Sequence, residues 1–174
     1  TKALPEKFKH YKTKGSSGLQ DWAFSSGAWL GIFNPEITEG ARQGYYLVYG
    51  FPAGTTEFIF GLGQGYTEAQ STYKSKWEEA LERTAELMRL KVSSTFSKGF
   101  NTSQAKFDLD RNSKDRGYRV GYAFHKIYNS LSLPSEQEML NDLSQMLHAY
   151  EEIYSNGGRN LDFISTKKIK KLRM

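Results

Sequence analysis

The sequence predicts an α+β fold in which a mainly antiparallel, curved sheet is flanked by helices within a single domain. Three short runs rich in aromatic and branched residues, at 29–33, 45–51 and 57–62, are separated by segments with Pro and Gly, which is typical of consecutive antiparallel strands. Two segments with apolar residues at helical spacing follow, at 71–90 and 134–154. The length of 174 residues favours one domain.

Two elements are predicted before the first of these strands. Leu4, Phe8 and Tyr11 recur at helical spacing, which indicates a short N-terminal helix. Residues 12–27 are rich in Gly and Ser and are predicted to form a loop. Because this loop is also basic and contains aromatic side chains, we expect it to contact a ligand.

The middle of the chain has a mixed pattern. The helix at 71–90 presents one apolar stripe, with its glutamates elsewhere on the surface. A polar loop is predicted at 106–115, which leaves room for a short strand at 106–109. The aromatic and branched residues at 117–128 then predict one more strand of the sheet.

The helix at 134–154 has the clearest signals at both ends. Ser132 or Ser135 can cap its N-terminus, and Glu138 stands three residues after Ser135, as in a capping box. An Asn-Gly-Gly run at 156–158 predicts its C-terminus.

The net charge of +5 is concentrated at the two ends of the chain. Residues 1–14 have a net charge of +4 and residues 159–174 have +5, whereas residues 134–154 have −5. We therefore divide the chain into a domain at 1–158 and a basic C-terminal tail or linker at 159–174. The tail is interpreted either as a solvated segment or as part of a nucleic-acid-binding surface opposed to the acidic helix.

Several kinds of chemistry are excluded by missing residues. The chain has no Cys, which rules out disulfides, thiolate metal ligands and a Cys nucleophile. It has no P-loop, no metal-binding His spacing and no G-x-S-x-G motif. Asp108, Asp110 and Asp115 lack the pattern of a calcium loop and are interpreted as a solvated turn. We therefore predict no catalytic residue, no metal site and no cofactor.

What remains is a surface rich in Tyr and Trp. In a strand at 45–51, Tyr46, Val48 and Gly50 share one face. A Gly leaves room in front of a strand, and neighbouring aromatic side chains can form the walls of that space. A flat slot of this kind accommodates a nucleobase, whereas the alternative is that the Tyr side chains pack in the core.

Six segments, in this order and spacing, carry a family resemblance. They read Asp-Trp-Ala at 21–23 in the Gly/Ser loop, Trp-Leu-Gly-Ile-Phe-Asn at 29–34, Gln-Gly-Tyr-Tyr-Leu-Val-Tyr at 43–49, Phe-Ile-Phe-Gly-Leu-Gly-Gln-Gly at 58–65, Gly-Tyr-Arg-Val-Gly-Tyr at 117–122 and Leu-Asn-Asp-Leu-Ser-Gln-Met-Leu-His-Ala-Tyr-Glu-Glu at 140–152. Over about residues 4–156, the chain resembles the McrB-like N-terminal domain, the DNA-recognition module of modification-dependent restriction systems.

The resemblance implies a function as well as a fold. It implies an α+β domain that binds 5-methyl- or 5-hydroxymethylcytosine in duplex DNA by flipping the modified base into an aromatic pocket. It also implies fusion to, or action with, a GTPase module and a nuclease subunit, in which any catalysis would reside.

The resemblance also implies pocket residues. Trp29 matches the family's pocket tryptophan, and Tyr46 matches its pocket tyrosine. Gly50 stands where a relative has an aliphatic pocket residue, which implies a roomier pocket. Tyr118 and Tyr122 lie in the region that can supply another wall, and the sequence does not choose between them.

The expected DNA contacts outside the pocket are basic, polar and loop residues. They are Lys12, Lys14, Ser16, Ser17, Leu19, Gln20, Trp22, Arg42, Gln43 and Arg119. Leu19 falls near a loop aromatic that lies close to DNA in a relative, and the four basic side chains are expected on phosphates, which positions a duplex without reading its sequence.

The sequence thus predicts a non-catalytic specificity domain for modified cytosine in duplex DNA, acting in phage defence. No apolar run approaches the ~20 residues of a membrane span, so a prokaryotic cytoplasmic location without membrane contact is expected. Three alternatives stay open: a reader of modified bases in RNA or single strands, a protein-interaction module that docks through the acidic helix at 134–154, and a nuclease with dispersed ligands.

Overall fold

The computed structural model describes residues 4–16, 27–52, 54–93, 99–106 and 119–158. Within these ranges, five strands form one open sheet in the order β1-β2-β3-β4-β5, and every neighbouring pair is antiparallel. The strands are β1 (Lys12–Ser16), β2 (Ala28–Phe33), β3 (Tyr45–Phe51), β4 (Glu57–Gln64) and β5 (Phe124–Asn129). The helices are α1 (Tyr66–Tyr73), α2 (Trp77–Arg89) and α3 (Glu136–Ser155). The predicted α+β fold with a single antiparallel sheet is confirmed.

The first difference from the prediction is an additional edge strand. Residues 12–16, predicted as part of a loop, form β1 and pair with β2 from Lys12 opposite Phe33 to Ser16 opposite Trp29. An edge strand has one neighbour only and tolerates Lys and Gly, so it lacks the alternation that marks a strand in the sequence. Residues 17–26 of the predicted loop lie outside the described residues.

The second difference concerns the helix predicted at 71–90. The helical segment begins earlier, at Tyr66, and is interrupted at Lys74, which has a positive φ of 50°. A short 3-10 turn, Lys74–Lys76, then leads into α2. A positive φ breaks the helical hydrogen-bond ladder, so the segment becomes two helices rather than one.

The third difference concerns the strand predicted at 117–128. The strand begins only at Phe124, and Arg119 and Val120 are helical instead. Val120 is buried with Trp77 and Leu81 of α2, so packing against a helix overrides the strand preference of its side chain. The sequence leaves room for a short strand at 106–109, but Lys106 is not in a strand. Residues 107–118 lie outside the described residues.

The predicted helices at the two ends of the domain are present. The N-terminal one is a single 3-10 turn, Glu6–Phe8. At the start of α3, the Glu138 N–H donates to Ser135 Oγ at 3.3 Å and the Ser135 N–H donates to Glu138 Oε2 at 2.9 Å. This capping box selects Ser135 over Ser132 as the N-cap.

One face of the sheet, here called the helix face, packs against α3. Leu47 and Phe60 are fully buried there with Met146 and Tyr150 of the helix. The Tyr150 hydroxyl accepts from the Asn34 N–H at 3.0 Å and donates to the Tyr45 carbonyl at 2.9 Å. These two bonds attach α3 to both ends of the segment that joins β2 to β3.

The opposite face, here called the glycine-rich face, holds a second buried cluster. Cross-strand rows on this face pair Trp29 with Gly50 and Ile59, Gly31 with Val48 and Gly61, and Tyr46 with Gly63. The buried cluster consists of Phe33, Tyr46, Val48, Ile59, Ala105 and Tyr122. Because side chains alternate along a strand, a cluster on each face leaves the central strand β3 buried on both sides.

The ring of Tyr122 lies directly on two glycines of β4. A Cβ placed at Gly61 would be 2.6 Å from Tyr122 Cδ1 and 2.7 Å from the Phe124 carbonyl oxygen. A Cβ at Gly63 would be 3.2 Å from Tyr122 Cε1. The absence of side chains at these positions lets an aromatic ring cover the backbone.

We therefore expect Gly61→Ala to destabilise the domain. Because the added methyl clashes with both a ring and a backbone oxygen, the free energy of unfolding should fall by about 1–3 kcal/mol. Urea unfolding followed by circular dichroism measures this, and Gly40→Ala is the control, since a Cβ at Gly40 meets no atom within 4 Å. Equal stability of the two variants would contradict the packing of Tyr122 on β4.

Candidate nucleic-acid interface

The glycine-rich face has a position without a side chain, Gly50, on the strand next to Trp29. Trp29 and Gly50 are direct cross-strand partners, and both are half-buried. Among the described residues, a Cβ placed at Gly50 would meet one side chain within 4 Å, that of Ile59, whose Cγ2 would be 3.1 Å away. Gly61 and Gly63, by contrast, are covered by a ring. The Trp29 ring reaches over Gly31, where an added Cβ would be 3.2 Å from Trp29 Cζ3. We call the space in front of Gly50, which is bordered by Ile59 and lies on the strand next to Trp29, the Gly50 slot.

Tyr46 lies on the same face but is packed into the cluster. Its side chain is 4% exposed, and its ring centroid is 4.9 Å from that of Phe33. Its hydroxyl donates to the Ala41 carbonyl at 3.0 Å. These contacts give Tyr46 a structural role, and its contact with a base stays a prediction.

Tyr118 and Tyr122 are the two alternatives for a third wall of the pocket. Tyr122 is buried on the glycine-rich face, against Gly61 and Gly63. Tyr118 lies outside the described residues. A wall contributed by either tyrosine stays a prediction.

The edge strand β1 places three predicted DNA contacts on the glycine-rich face. Its register sets Lys12 opposite Phe33, Lys14 opposite Gly31 and Ser16 opposite Trp29. Residues directly opposite each other in an antiparallel pair project to the same face. The lysines and the aromatic side chains, which are separate in the sequence, thus share one surface.

Both lysine side chains contact Glu39, in the connection between β2 and β3 (residues 34–44). Lys12 Nζ forms an ion pair with the Glu39 carboxylate, and Lys14 Nζ donates to the Glu39 carbonyl oxygen. The hydrogen bond from Lys12 and the charges of both lysines lower the pKa of Glu39. Glu39 was not among the residues singled out from the sequence, because a glutamate in a turn gives no signal by itself.

Arg42 and Gln43 belong to the same connection, whose backbone is anchored at several points. Both residues are exposed. The Arg42 carbonyl accepts from the Glu68 N–H at 3.1 Å, and the Gly44 carbonyl accepts from the Gly65 N–H at 2.9 Å. A segment tied down in this way presents its side chains from a defined position.

Of the remaining predicted contacts, Arg119 lies within the described residues. Arg119 is half-buried, and its carbonyl accepts from the Ala105 N–H at 3.1 Å. The other four, Ser17, Leu19, Gln20 and Trp22, lie outside the described residues.

His125 is a buried histidine that the sequence did not distinguish from a structural one. It pairs with Gly61 on the glycine-rich face, is 2% exposed, and its ring centroid is 5.8 Å from that of Tyr122. Its Nδ1 has no hydrogen-bond partner among the described residues. Burial lowers the pKa of His125 to about 4, so the imidazole is neutral at neutral pH.

Two further observations concern metals and membranes. Within the described ranges, no three His, Cys, Asp or Glu side chains are grouped closely enough to hold a metal ion. Asp108, Asp110 and Asp115 lie outside those ranges. None of the described helices is long and apolar enough to cross a membrane.

The family model described as the MrcB-like N-terminal domain matches residues 1–155. The chain belongs to the MrcB-like N-terminal domain family. Searches of curated proteins and of solved structures found no match. Membership in the MrcB-like family supports a DNA-binding role in the context of a restriction system, in agreement with the resemblance inferred from the sequence motifs.

The burial of His125 predicts a pH dependence of stability. Because the pKa is about 4 in the folded chain and ~6.5 in the unfolded chain, the unfolded chain binds more protons between these values. The free energy of unfolding is therefore highest above about pH 6.5. It falls by about 2–3 kcal/mol as the pH is lowered towards 4 and His125 of the unfolded chain is protonated.

Urea unfolding of the parent and of His125→Asn at pH 7, 5.5 and 4 measures this contribution. The parent should lose more stability than the variant on acidification, since the variant has no imidazole to protonate. Parallel pH profiles for the two proteins would show that His125 is not held neutral by the fold.

Proposed function

We propose that this domain recognises 5-methyl- or 5-hydroxymethylcytosine in duplex DNA by binding the extruded base in the Gly50 slot. The observation that carries the proposal is the pairing of Trp29 with Gly50, which sets a large aromatic residue on the strand next to a position without a side chain. Membership in the MrcB-like family supports the choice of DNA as the ligand.

Contacts in the slot can offset the free-energy cost of base flipping. Extruding a base costs a few kcal/mol, and stacking on an aromatic side chain returns ~1–3 kcal/mol. A methyl group on the base adds ~0.8 kcal/mol when it is buried. Gly50 has no side chain that would occupy the slot, and Ile59 offers such a substituent an apolar contact.

The charge distribution supports approach of DNA to the glycine-rich face. Lys12 and Lys14 project to this face, and Arg42 is exposed in the neighbouring connection. The helix α3, whose residues have a net charge of −5, covers the opposite face. A polyanion is therefore attracted to one side of the domain and repelled from the other.

The domain would supply recognition, and other modules would supply catalysis. In this proposal the phosphate contacts position the duplex while the slot reads the base. A GTPase module and a nuclease subunit of the restriction complex would then act on the DNA that the domain has selected. The basic segment at 159–174 would add only non-specific affinity.

The first prediction of this proposal concerns Trp29. Trp29→Ala should abolish the preference for modified over plain cytosine, because the stacking surface is lost, while weak binding through the lysines persists. Leu30→Ala is the matched control: Leu30 is the next residue of β2, is 43% exposed and faces the helix side. The measurement is fluorescence anisotropy on one duplex that carries cytosine, 5-methyl-, 5-hydroxymethyl- or N4-methylcytosine.

Two additions make this experiment decisive. A melting curve for each variant separates loss of recognition from loss of the fold, since Trp29 also packs against the buried cluster. Competition with single-stranded DNA and RNA separates a duplex reader from a reader of single strands. If Trp29→Ala stays folded and keeps the preference of the parent, the slot is not the recognition site.

The second prediction concerns the size of the slot. Gly50→Leu should fill the open space and reduce binding of 5-hydroxymethylcytosine more than binding of 5-methylcytosine, since the larger substituent needs more room. Gly40→Leu, in an open turn, is the control for adding the same side chain elsewhere. Isothermal titration with both duplexes measures the ratio, and an unchanged ratio in folded Gly50→Leu would contradict the position of the slot.

A further inference from the structure

One acidic residue occupies the basic edge of the glycine-rich face. Glu39 binds Lys12 through its carboxylate and Lys14 through its carbonyl oxygen. Both lysine side chains lie on the same face as Trp29. Oxygen atoms of Glu39 thus take up one N–H donor on each of the lysines that are expected to contact phosphate oxygens.

The position of Glu39 is held by the turn around it. Asn34 accepts the Ile37 N–H at 2.9 Å and the Thr38 N–H at 3.0 Å, and its side chain accepts the Glu36 N–H at 3.0 Å. Thr38 is buried and donates from its hydroxyl to the Gly40 carbonyl at 2.9 Å. The turn that carries Glu39 is therefore held by its own hydrogen bonds in the absence of DNA.

The ion pair itself is exposed and exchangeable. The side chains of Lys12 and Glu39 are 48% and 58% exposed. An ion pair in such a position contributes little to stability, so it can open at small cost. The ion pair affects binding instead, since the Glu39 carboxylate offsets the charge that Lys12 offers to a phosphate and repels that phosphate.

We propose that Glu39 is a built-in competitor of DNA phosphate that lowers the affinity of this domain for duplex DNA in general. The inference rests on the proposed DNA-binding function. Phosphate contacts supply nearly all non-specific binding. Weakening them therefore lets the domain dissociate more readily from unmodified DNA. The preference for a modified base, which depends on the slot, is not altered by this competition.

Glu39→Gln tests the inference. The variant should bind unmodified and modified duplexes about two- to tenfold more tightly at low salt, with the ratio between them unchanged. The plot of log affinity against log salt should steepen by about 0.9, the value for one additional phosphate contact on B-DNA. Anisotropy titrations of both duplexes over a range of salt concentrations measure both quantities.

Two controls isolate the contact between Lys12 and Glu39. Glu6→Gln also removes one negative charge and breaks an exposed pair with Lys9, but on the N-terminal turn, where Phe8 packs against α3. This variant should leave the salt dependence of binding unchanged. In a Lys12→Gln background, Glu39→Gln should raise affinity less than it does in the parent, because the lysine that it releases is absent and only the repulsion between the carboxylate and phosphate is removed.

The outcomes separate this inference from the proposed function. If Glu39→Gln binds DNA like Glu6→Gln, or more weakly than the parent, Glu39 does not compete with phosphate and the inference is wrong, while DNA recognition stands. If the folded parent binds no duplex at low salt, the proposed function fails and the inference fails with it. A melting curve of Glu39→Gln equal to that of the parent confirms that the comparison is between folded proteins.

Discussion

The pleat of β3 is the constraint on which the rest of this structure depends. Its side chains alternate between two faces that are both buried, so Leu47 packs under α3 while Tyr46 and Val48 pack on the glycine-rich face. The helix face is closed by a long amphipathic helix. The opposite face is covered by Tyr122 lying on glycines of β4, and Gly50, on the strand next to Trp29, contributes no side chain to it. The candidate slot is thus a consequence of how a two-sided core is filled.

The same core also places the charged groups of the candidate interface. Tyr150, buried at the centre of the helix face, bonds to the Asn34 N–H and to the Tyr45 carbonyl. Asn34 in turn organises the turn that carries Glu39. A hydrogen-bond chain therefore runs from the helix on one side of the sheet to Thr38 and Gly40, the residues on either side of Glu39. The packing of α3 on the helix face and the position of Glu39 beside the lysines are therefore connected through hydrogen bonds.

The elements with strong local signals were predicted correctly, and those defined by their neighbours were not. The strands at 45–51 and 57–62 and the capped helix at 134–154 have periodicity or capping residues that act within a few positions. The strand β1 has no such pattern, because its stability comes from pairing with β2. The break at Lys74 and the helical state of Val120 follow from packing between distant residues, which a local pattern does not contain.

By itself, the sequence determined the fold class, the alternation that sets Tyr46 and Gly50 on one face, and the motifs of the MrcB-like family. It did so because strand periodicity and turn chemistry act over short distances. Only the tertiary structure decided that Lys12 and Lys14 join Trp29 on one face, that Tyr46 is packed against Phe33, and that Glu39 holds the lysines. The reason is that strand register and the path of a connection depend on contacts between residues far apart in the chain, and these determine which side chains meet.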